Sequence, residues 1–343
     1  LIGFTSAPRA PVKDQWSPRL GIGYPITDRI AFHFSYGQFY QFPDLINMYN
    51  FSNYQGNNGT PPGWSDEANA MAQGFLYGNP YYPFPYNITD WYIPEVGTPN
   101  VNPQRSIQYE TGLRTRIGNR FVLTVNLYYK DMFDYIASKR YDADPSQYAI
   151  YENMDYANSR GLEMTFQRLY SGGLDWEINY TLSRAEGNAP TSDYHWYVAE
   201  WANGYDWRDF NHTYTMPWDQ THNINFRLNY IRHSGLGLSM IGNYGSGFPY
   251  TPEDARARPI DKQYSGRMPP TSNVDLKIYY DLKMKDLSIR LFGDISNVMN
   301  RANVLAVDNT TGEPDATLDS GQPPMYVWKP YYFSPPRHIE IGI

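Results

Sequence analysis

Histidine, carboxylate and aromatic side chains are where this chain could do chemistry. His195, His212, His222 and His233 could hold a metal or move a proton, but their spacings match no metal motif, and hydrogen bonding to solvent is the plainer use. Asp308-Asn309 with Glu313 and Asp315 is only loosely like an acidic calcium loop and reads as an ordinary polar turn. No G-x-S-x-G elbow, H-E-x-x-H, P-loop or Gly-rich dinucleotide turn occurs, so the chain is not expected to be an enzyme, and no cofactor or metal is expected. Recognition is the chemistry left. Tyr81, Tyr82, Phe84, Tyr86 and Trp91 form one aromatic group, and Tyr194, Trp196, Trp201, Tyr205 and Trp207 form another, interleaved with Asp193, Glu200, Asp206 and Asp209. Flat rings give large contact area at small entropic loss, and carboxylates add polar anchors, so such a surface could bind sugars, peptides or a protein lid. The competing use is structural: the rings pack on one another to order long loops, or sit in an interfacial belt.

Whatever carries these groups has unusual composition. Aromatic residues make up 17% of 343 residues, with 33 Tyr, 16 Phe and 9 Trp. Mean hydropathy is only -0.62, as alternating strands average apolar and polar positions away. No run of eighteen apolar residues exists, which excludes a transmembrane helix. The absence of cysteine removes disulfides and thiolate metal sites, and the net charge of -7 argues against nucleic acid as a partner. No Gly- or Ser-rich linker divides the chain, so one unit over 1–343 is expected, and Leu1-Ile2-Gly3-Phe4 without a signal peptide reads as the start of a fragment.

The positioning elements are strands. In the hairpin from Arg105 to Arg140, Phe121, Leu123, Val125, Leu127 and Tyr129 alternate with Thr124, Asn126, Tyr128 and Lys130, and Gly118-Asn119 supplies a turn that tolerates positive φ. The same period of two runs through Trp16 to Tyr24, Arg29 to Gln41, Asn158 to Leu169, Leu174 to Arg184, Thr221 to Ile231, Leu236 to Phe248, Asn273 to Met284, Leu287 to Val298 and a last strand with Ile339, Ile341 and Ile343. That makes eleven strands. Tight turns at 25–28, 118–120, 171–173, 234–235 and 285–286 alternate without exception with long loops at 42–104, 141–156, 187–219, 249–271 and 301–334. Such segregation is the habit of outer-membrane barrels, with short periplasmic turns, long extracellular loops and polar residues such as Glu163, Glu177, Arg227, Asp275 and Arg290 in a wet lumen. The expected fold is therefore all-β, an antiparallel transmembrane β-barrel. An odd count calls for further strands, because single-chain bacterial barrels close with even numbers.

Several stretches resemble the TonB-dependent outer-membrane receptors: S-P-R-L-G-I-G-Y at Ser17 to Tyr24, Y-G-Q-F-Y-Q at Tyr36 to Gln41, N-P-Q-R-S-I-Q-Y-E-T-G-L at Asn102 to Leu113, N-S-R-G-L-E-M at Asn158 to Met164, W-D-Q-T-H-N-I-N at Trp218 to Asn225 and F-G-D-I-S-N-V-M-N at Phe292 to Asn300. The D-Q-T-H and S-N-V-M-N-R pieces resemble the large-loop, Oar-like members with a carboxypeptidase-regulatory-like N-terminal extension. The resemblance implies that these strands form the C-terminal half of a 22-stranded barrel in the cell outer membrane. It implies lipid around the barrel, a plug domain absent from this sequence, and TonB reached through an N-terminal region that is also absent. It also implies uptake of a bulky nutrient: a carbohydrate, a peptide or a metal chelate. The alternative is a structural or adhesive barrel whose long loops hold a partner, such as a surface lipoprotein or another protein.

Overall fold

The computed structural model describes residues 11–49, 95–141, 148–189, 213–254, 260, 263–285, 287–315 and 329–343. In chain order the strands are β1 (Arg19–Thr27), β2 (Ile30–Gln41), β3 (Glu95–Val96), β4 (Gln104–Ile117), β5 (Phe121–Tyr141), β6 (Tyr148–Ser171), β7 (Leu174–Gly187), β8 (Tyr214–Thr215), β9 (His222–Ile231), β10 (Leu236–Gly245), β11 (Pro249–Tyr250), β12 (Gly266–Arg267), β13 (Thr271–Met284), β14 (Leu287–Ser296) and β15 (His338–Gly342). A one-turn helix α1 (Leu45–Tyr49) follows β2, and Pro330–Tyr332 makes a 3-10 turn. Eleven strands pair in the order β1-β2-β4-β5-β6-β7-β9-β10-β13-β14-β15, an antiparallel meander to which β3 and β8 add at the loop side. β1 and β15 are its edges and are not bonded to each other, so the sheet is open.

Register carries the two-faced pattern across the whole sheet. Ile22 pairs Phe34, Leu113 pairs Val125, Leu123 pairs Phe166, Phe166 pairs Ile178, Ile178 pairs Phe226, Leu228 pairs Met240, Met240 pairs Leu276, and Leu276 pairs Ile295. One residue away, Thr124 pairs Thr165, Thr165 pairs Asn179, Asn179 pairs Asn225, Asn225 pairs Asn243 and Asn243 pairs Asn273. A slip of one residue at any pair would exchange the faces, so this alternation fixes the register.

The apolar face is banded. Near the loops Tyr36 and Tyr109 lie 5.1 Å apart and Tyr129 follows in the same row. Near the short turns Phe121, Phe166 and Trp176 cluster with centroids 5.1 to 6.1 Å apart. Between Tyr129 and Phe121 lie eight steps, roughly 26 Å of strand, which a tilt of about 40° reduces to about 20 Å of depth. Aliphatic residues fill the interval, and aromatic girdles around an apolar band are what a lipid bilayer selects. Crowding marks the polar side as the inside of the curve. A Cβ at Gly161 would lie 2.7 Å from the Tyr128 ring, and Tyr279 covers Gly237 in the same way. Gly242 and Gly293, on the apolar side, would meet nothing nearer than 3.6 Å and 3.9 Å.

Two boundaries differ most from the sequence reading. β1 runs through Pro25 to Thr27, into the turn expected at 25–28, because the register shift at Pro25/Thr27 tolerates a missing donor. The loop expected at 141–156 is largely strand, since β6 starts at Tyr148. A bulge at Asp134, with φ 60°, and a second shift at Tyr135/Ile136 move the alternation out of phase, and the polar residues Glu152, Asn153 and Asp155 then mask it. Above the bulge Ile136 and Tyr151 join Met48 of α1 and Val101 in a small buried cluster. The segment 301–334 carries the 3-10 turn and a bridge between Val304 and Phe333.

Candidate functional site

The polar face is a wall of side-chain hydrogen bonds, along strands and between them. Thr165 Oγ1 donates to Asn179 Oδ1 at 2.7 Å, Asn179 Nδ2 to Glu177 Oε1 at 2.8 Å, Ser239 Oγ to Asn229 Oδ1 at 2.9 Å, and Asn229 Nδ2 to Asp175 Oδ2 at 3.1 Å. Arg290 forks onto Asp281 at 2.6 and 2.9 Å while its guanidinium lies 4.3 Å over the Tyr279 ring. Lys277 meets Asp294 at 2.8 Å, and Arg227 sits between Glu177 and Asp175 at 3.9 and 4.0 Å. Glu163 stands in this wall between Asn126 and Thr181. The carboxylates are thus parts of a hydrated polar surface, which suits a solute path better than acid-base catalysis. The uncharged row Thr124, Thr165, Asn179, Asn225, Asn243, Asn273 is notable, because asparagine is depleted in strands and needs a polar surface to be retained.

Two anchors hold the loop ends to this wall. Asp219 is fully buried as a side chain. Its Oδ1 accepts the Ala185 N–H at 2.7 Å and its Oδ2 accepts Arg267 at 2.5 Å. Arg267 also donates to the carbonyls of Asp219 at 3.1 Å and Gly247 at 3.2 Å, so one guanidinium ties the loop after β10 to the loop before β9. The second anchor follows β14. Asn297 and Asn300 adopt positive φ of 52° and 49°, which asparagine tolerates. Asn297 binds the carbonyls of Arg301 and Pro335, and Asn303 exchanges two bonds of 2.8 Å with the Ser272 backbone. Asp219, Asn297 and Asn300 belong to the D-Q-T-H and N-V-M-N stretches singled out in the sequence, and their work is to turn and fasten strand ends.

The acidic turn at 308–315 is also satisfied internally. Asp308 accepts the Thr310 N–H at 3.0 Å, the Thr310 hydroxyl at 2.5 Å and Lys329 Nζ at 3.0 Å. Burial pushes the Asp308 carboxyl up, but the bonds from Thr310 and Lys329 outweigh it and hold the group below the usual carboxylate range. The hydrogen bond to Asp308 raises Lys329, against burial. A lowered carboxylate contributes stability that is present above its unfolded value and lost as pH falls through its folded value. A raised ammonium contributes stability that is lost as pH rises through its folded value. Hydrogen exchange, corrected for intrinsic rates, should therefore show the Thr310 and Gly312 amides evenly protected from about pH 4 to about pH 10, with protection falling outside that window. Protection lost already between pH 7 and 5 would contradict the pairing.

Tyr81, Tyr82, Phe84, Tyr86, Trp91, Tyr194, Trp196, Trp201, Tyr205 and Trp207, with Asp193, Glu200, Asp206 and Asp209, lie outside the described residues. Of the histidines, His222 meets the Tyr180 hydroxyl at 3.0 Å, and His195 and His212 also lie outside. Among the described residues no three His, Cys, Asp or Glu side chains converge as metal ligands. Sequence reasoning missed Arg267 and the buried state of Asp219. The signal for Asp219 was its place between a long loop and a strand, but its cation lies 48 residues away.

No curated relative matches the sequence. Among solved structures, the fold is similar to a mutant of the ferric enterobactin receptor PfeA from Pseudomonas aeruginosa, at 16% identity and TM-score 0.55, covering 94% of this chain and 39% of that one. It is similar to the outer membrane transporter YddB from Escherichia coli, at 12% identity and TM-score 0.54, covering 84% and 37%. The FrpB iron transporter from Neisseria meningitidis gives 11% identity and TM-score 0.50, covering 83% and 35%. The chain thus spans less than two fifths of the length of each. With a match to the TonB dependent receptor-like beta-barrel family over residues 3–298, the chain belongs to that outer-membrane family.

Proposed function

We propose that this chain is part of the barrel wall of an energised outer-membrane receptor that takes up a bulky nutrient, with the long loops extracellular and further strands closing the sheet. The observation that supports this most is the register. One face stays polar and the other apolar from β1 to β15, and two unpaired edges in lipid would leave backbone groups unsatisfied without additional strands. The plug and the contact with TonB then belong to an N-terminal region upstream, and the strands here make the C-terminal half of a 22-stranded wall. Ligand capture falls to the aromatic loops at 42–104 and 187–219, because the wall itself offers amides, hydroxyls and paired charges rather than stacking platforms.

The test is growth of a strain deleted for the gene on an oligosaccharide, a peptide or a ferric chelate as the sole source of carbon, nitrogen or iron. Loss on one of the three, restored by the wild type and not by the Trp201→Ala/Trp207→Ala double variant, is expected, with the variant barrel still folded and heat-resistant. Normal growth of the deletion on all three, with a surface protein co-purifying on the loops, would instead favour a structural barrel. Full restoration by the double variant would leave loop packing as the use of those rings.

A further inference from the structure

On the polar face three cations of β9, β13 and β14 are met by acids across the strands: Arg227 by Glu177 and Asp175, Lys277 by Asp294, and Arg290 by Asp281. Arg29, Arg114 and Arg116, at the short-turn ends of β2 and β4, are not. Among the described residues none of the three forms an ion pair, and the one side-chain hydrogen bond among them is a long contact of 3.4 Å from Arg116 to the Asn119 carbonyl. They surround a recess of about 730 Å³ whose floor includes Pro25, Ala31 and Val122.

The register explains the depth. Arg114 pairs Ala31, Ala31 pairs Pro25, and Arg116 pairs Val122, so short side chains stand beside long cationic ones on the same face. Arg114 and Arg116 are two residues apart on one strand and therefore point to the same side, where like charges repel unless an anion lies between them. The one carboxylate in the lining, Asp28, forms no ion pair with any of the three among the described residues, so the cations stay in excess. Guanidinium forks match carboxylate and phosphate oxygens two at a time, and the volume falls within the range of small-molecule sites. Arg114, Arg116, Ala31, Pro25 and Val122 share the polar parity of their strands, so the arginine side of the recess is turned from the apolar face that meets lipid. The apolar floor asks for more than an inorganic ion.

We propose that this recess binds a small organic anion, a carboxylate or phosphate on a short apolar body, at the short-turn end of the barrel interior. The site goes beyond the uptake role and does not depend on it.

Calorimetric titration of the detergent-extracted protein with phenyl phosphate, benzoate and neutral benzyl alcohol tests the assignment. Saturable binding of at least one of the two anions is expected, and the tighter of them identifies the preferred headgroup. Benzyl alcohol should not bind. Arg114→Gln/Arg116→Gln should weaken anion binding at least tenfold while the barrel keeps its heat-modifiable mobility, and Arg232→Gln at another short turn should leave binding unchanged. Should the double variant fail to fold, Arg116→Gln alone, at an exposed side chain, carries the same comparison with an expected loss of at least threefold. Absence of saturable anion binding by the wild type overturns the proposal, including the case where polypeptide already fills the recess. So does undiminished binding by the arginine variants, equal weakening by Arg232→Gln, or equal binding of benzyl alcohol. Because the readout is binding alone, a failed uptake experiment leaves this result standing, and the reverse also holds.

Discussion

Phe226→Arg is expected to destabilise the barrel by about 2–4 kcal/mol, whereas Asn225→Lys, one residue away, should change stability by less than about 1 kcal/mol. Phe226 lies on β9 between Ile178 of β7 and Gly242 of β10, midway between Tyr230 near the short turns and His222 near the loops. A guanidinium there has no water and no acid within its row, so it must drag its hydration inward or distort the bilayer. Asn225 projects to the other side, between Asn179 and Asn243, and is exposed. A lysine in that uncharged row stays in water and adds one cation to a wall that already holds several. The measurement is urea-dependent folding into phosphatidylcholine vesicles followed by tryptophan fluorescence, with Leu123→Arg and Leu276→Arg as repeats on β5 and β13. Equal effects of the two β9 variants, or a larger effect at Asn225, would mean that the faces have been exchanged. That result would also remove the basis for reading the polar side as a lumen.

The strands were legible in the sequence for the reason this experiment exploits: a bilayer on one side and water on the other impose a period of two. Leu123, Val125 and Leu127 against Thr124, Asn126 and Tyr128 show it directly, and the pairings place both sets where the alternation puts them. What the period could not show lies where the two solvents no longer act. The β5–β6 hairpin rises past its neighbours, where Ile136 and Tyr151 are buried with Met48 of α1 and Val101, and Ala137 and Ser138 are buried as well. The bulge at Asp134 shifts the phase just where that change occurs. Arg114 and Arg116 stand on the polar parity of their strand, and a lone sequence does not reveal which acids reach which cations. The aromatic residues of the loops at 42–104 and 187–219 were visible as a composition, and composition gives no partner for any one ring. Asp219 shows the same limit from another side: the motif containing it is recognisable, but its burial depends on an arginine brought across by β10 and β12.

That buried carboxylate gives the second large effect. Asp219→Ala is expected to cost about 2–3 kcal/mol, below the usual 3–5 for breaking a buried pair because the Arg267 side chain is 38% exposed and can return to water. The loss has two parts. The Ala185 N–H, on a buried residue, is left without its acceptor, and such an orphan costs about 1–3 kcal/mol. Arg267 loses its ionic partner but keeps the carbonyls of Asp219 and Gly247. Asp219→Asn can still accept from Ala185 and should cost about half as much, since only the charge-assisted bond weakens. The opening should be local: the strands are held by their ladders, while the latch fastens the loop after β10 to the segment before β9. Hydrogen exchange should rise at 213–221 and 246–268 and stay unchanged at 121–132 and 287–296, and protease should cut faster within 187–219. The cycle Asp219→Ala, Arg267→Ala and the double variant should show a coupling of at least about 1 kcal/mol, because two residues sharing a buried bond do not add. Additive costs, or faster exchange spread evenly over the barrel strands, would show that this ion pair does not fasten the loops.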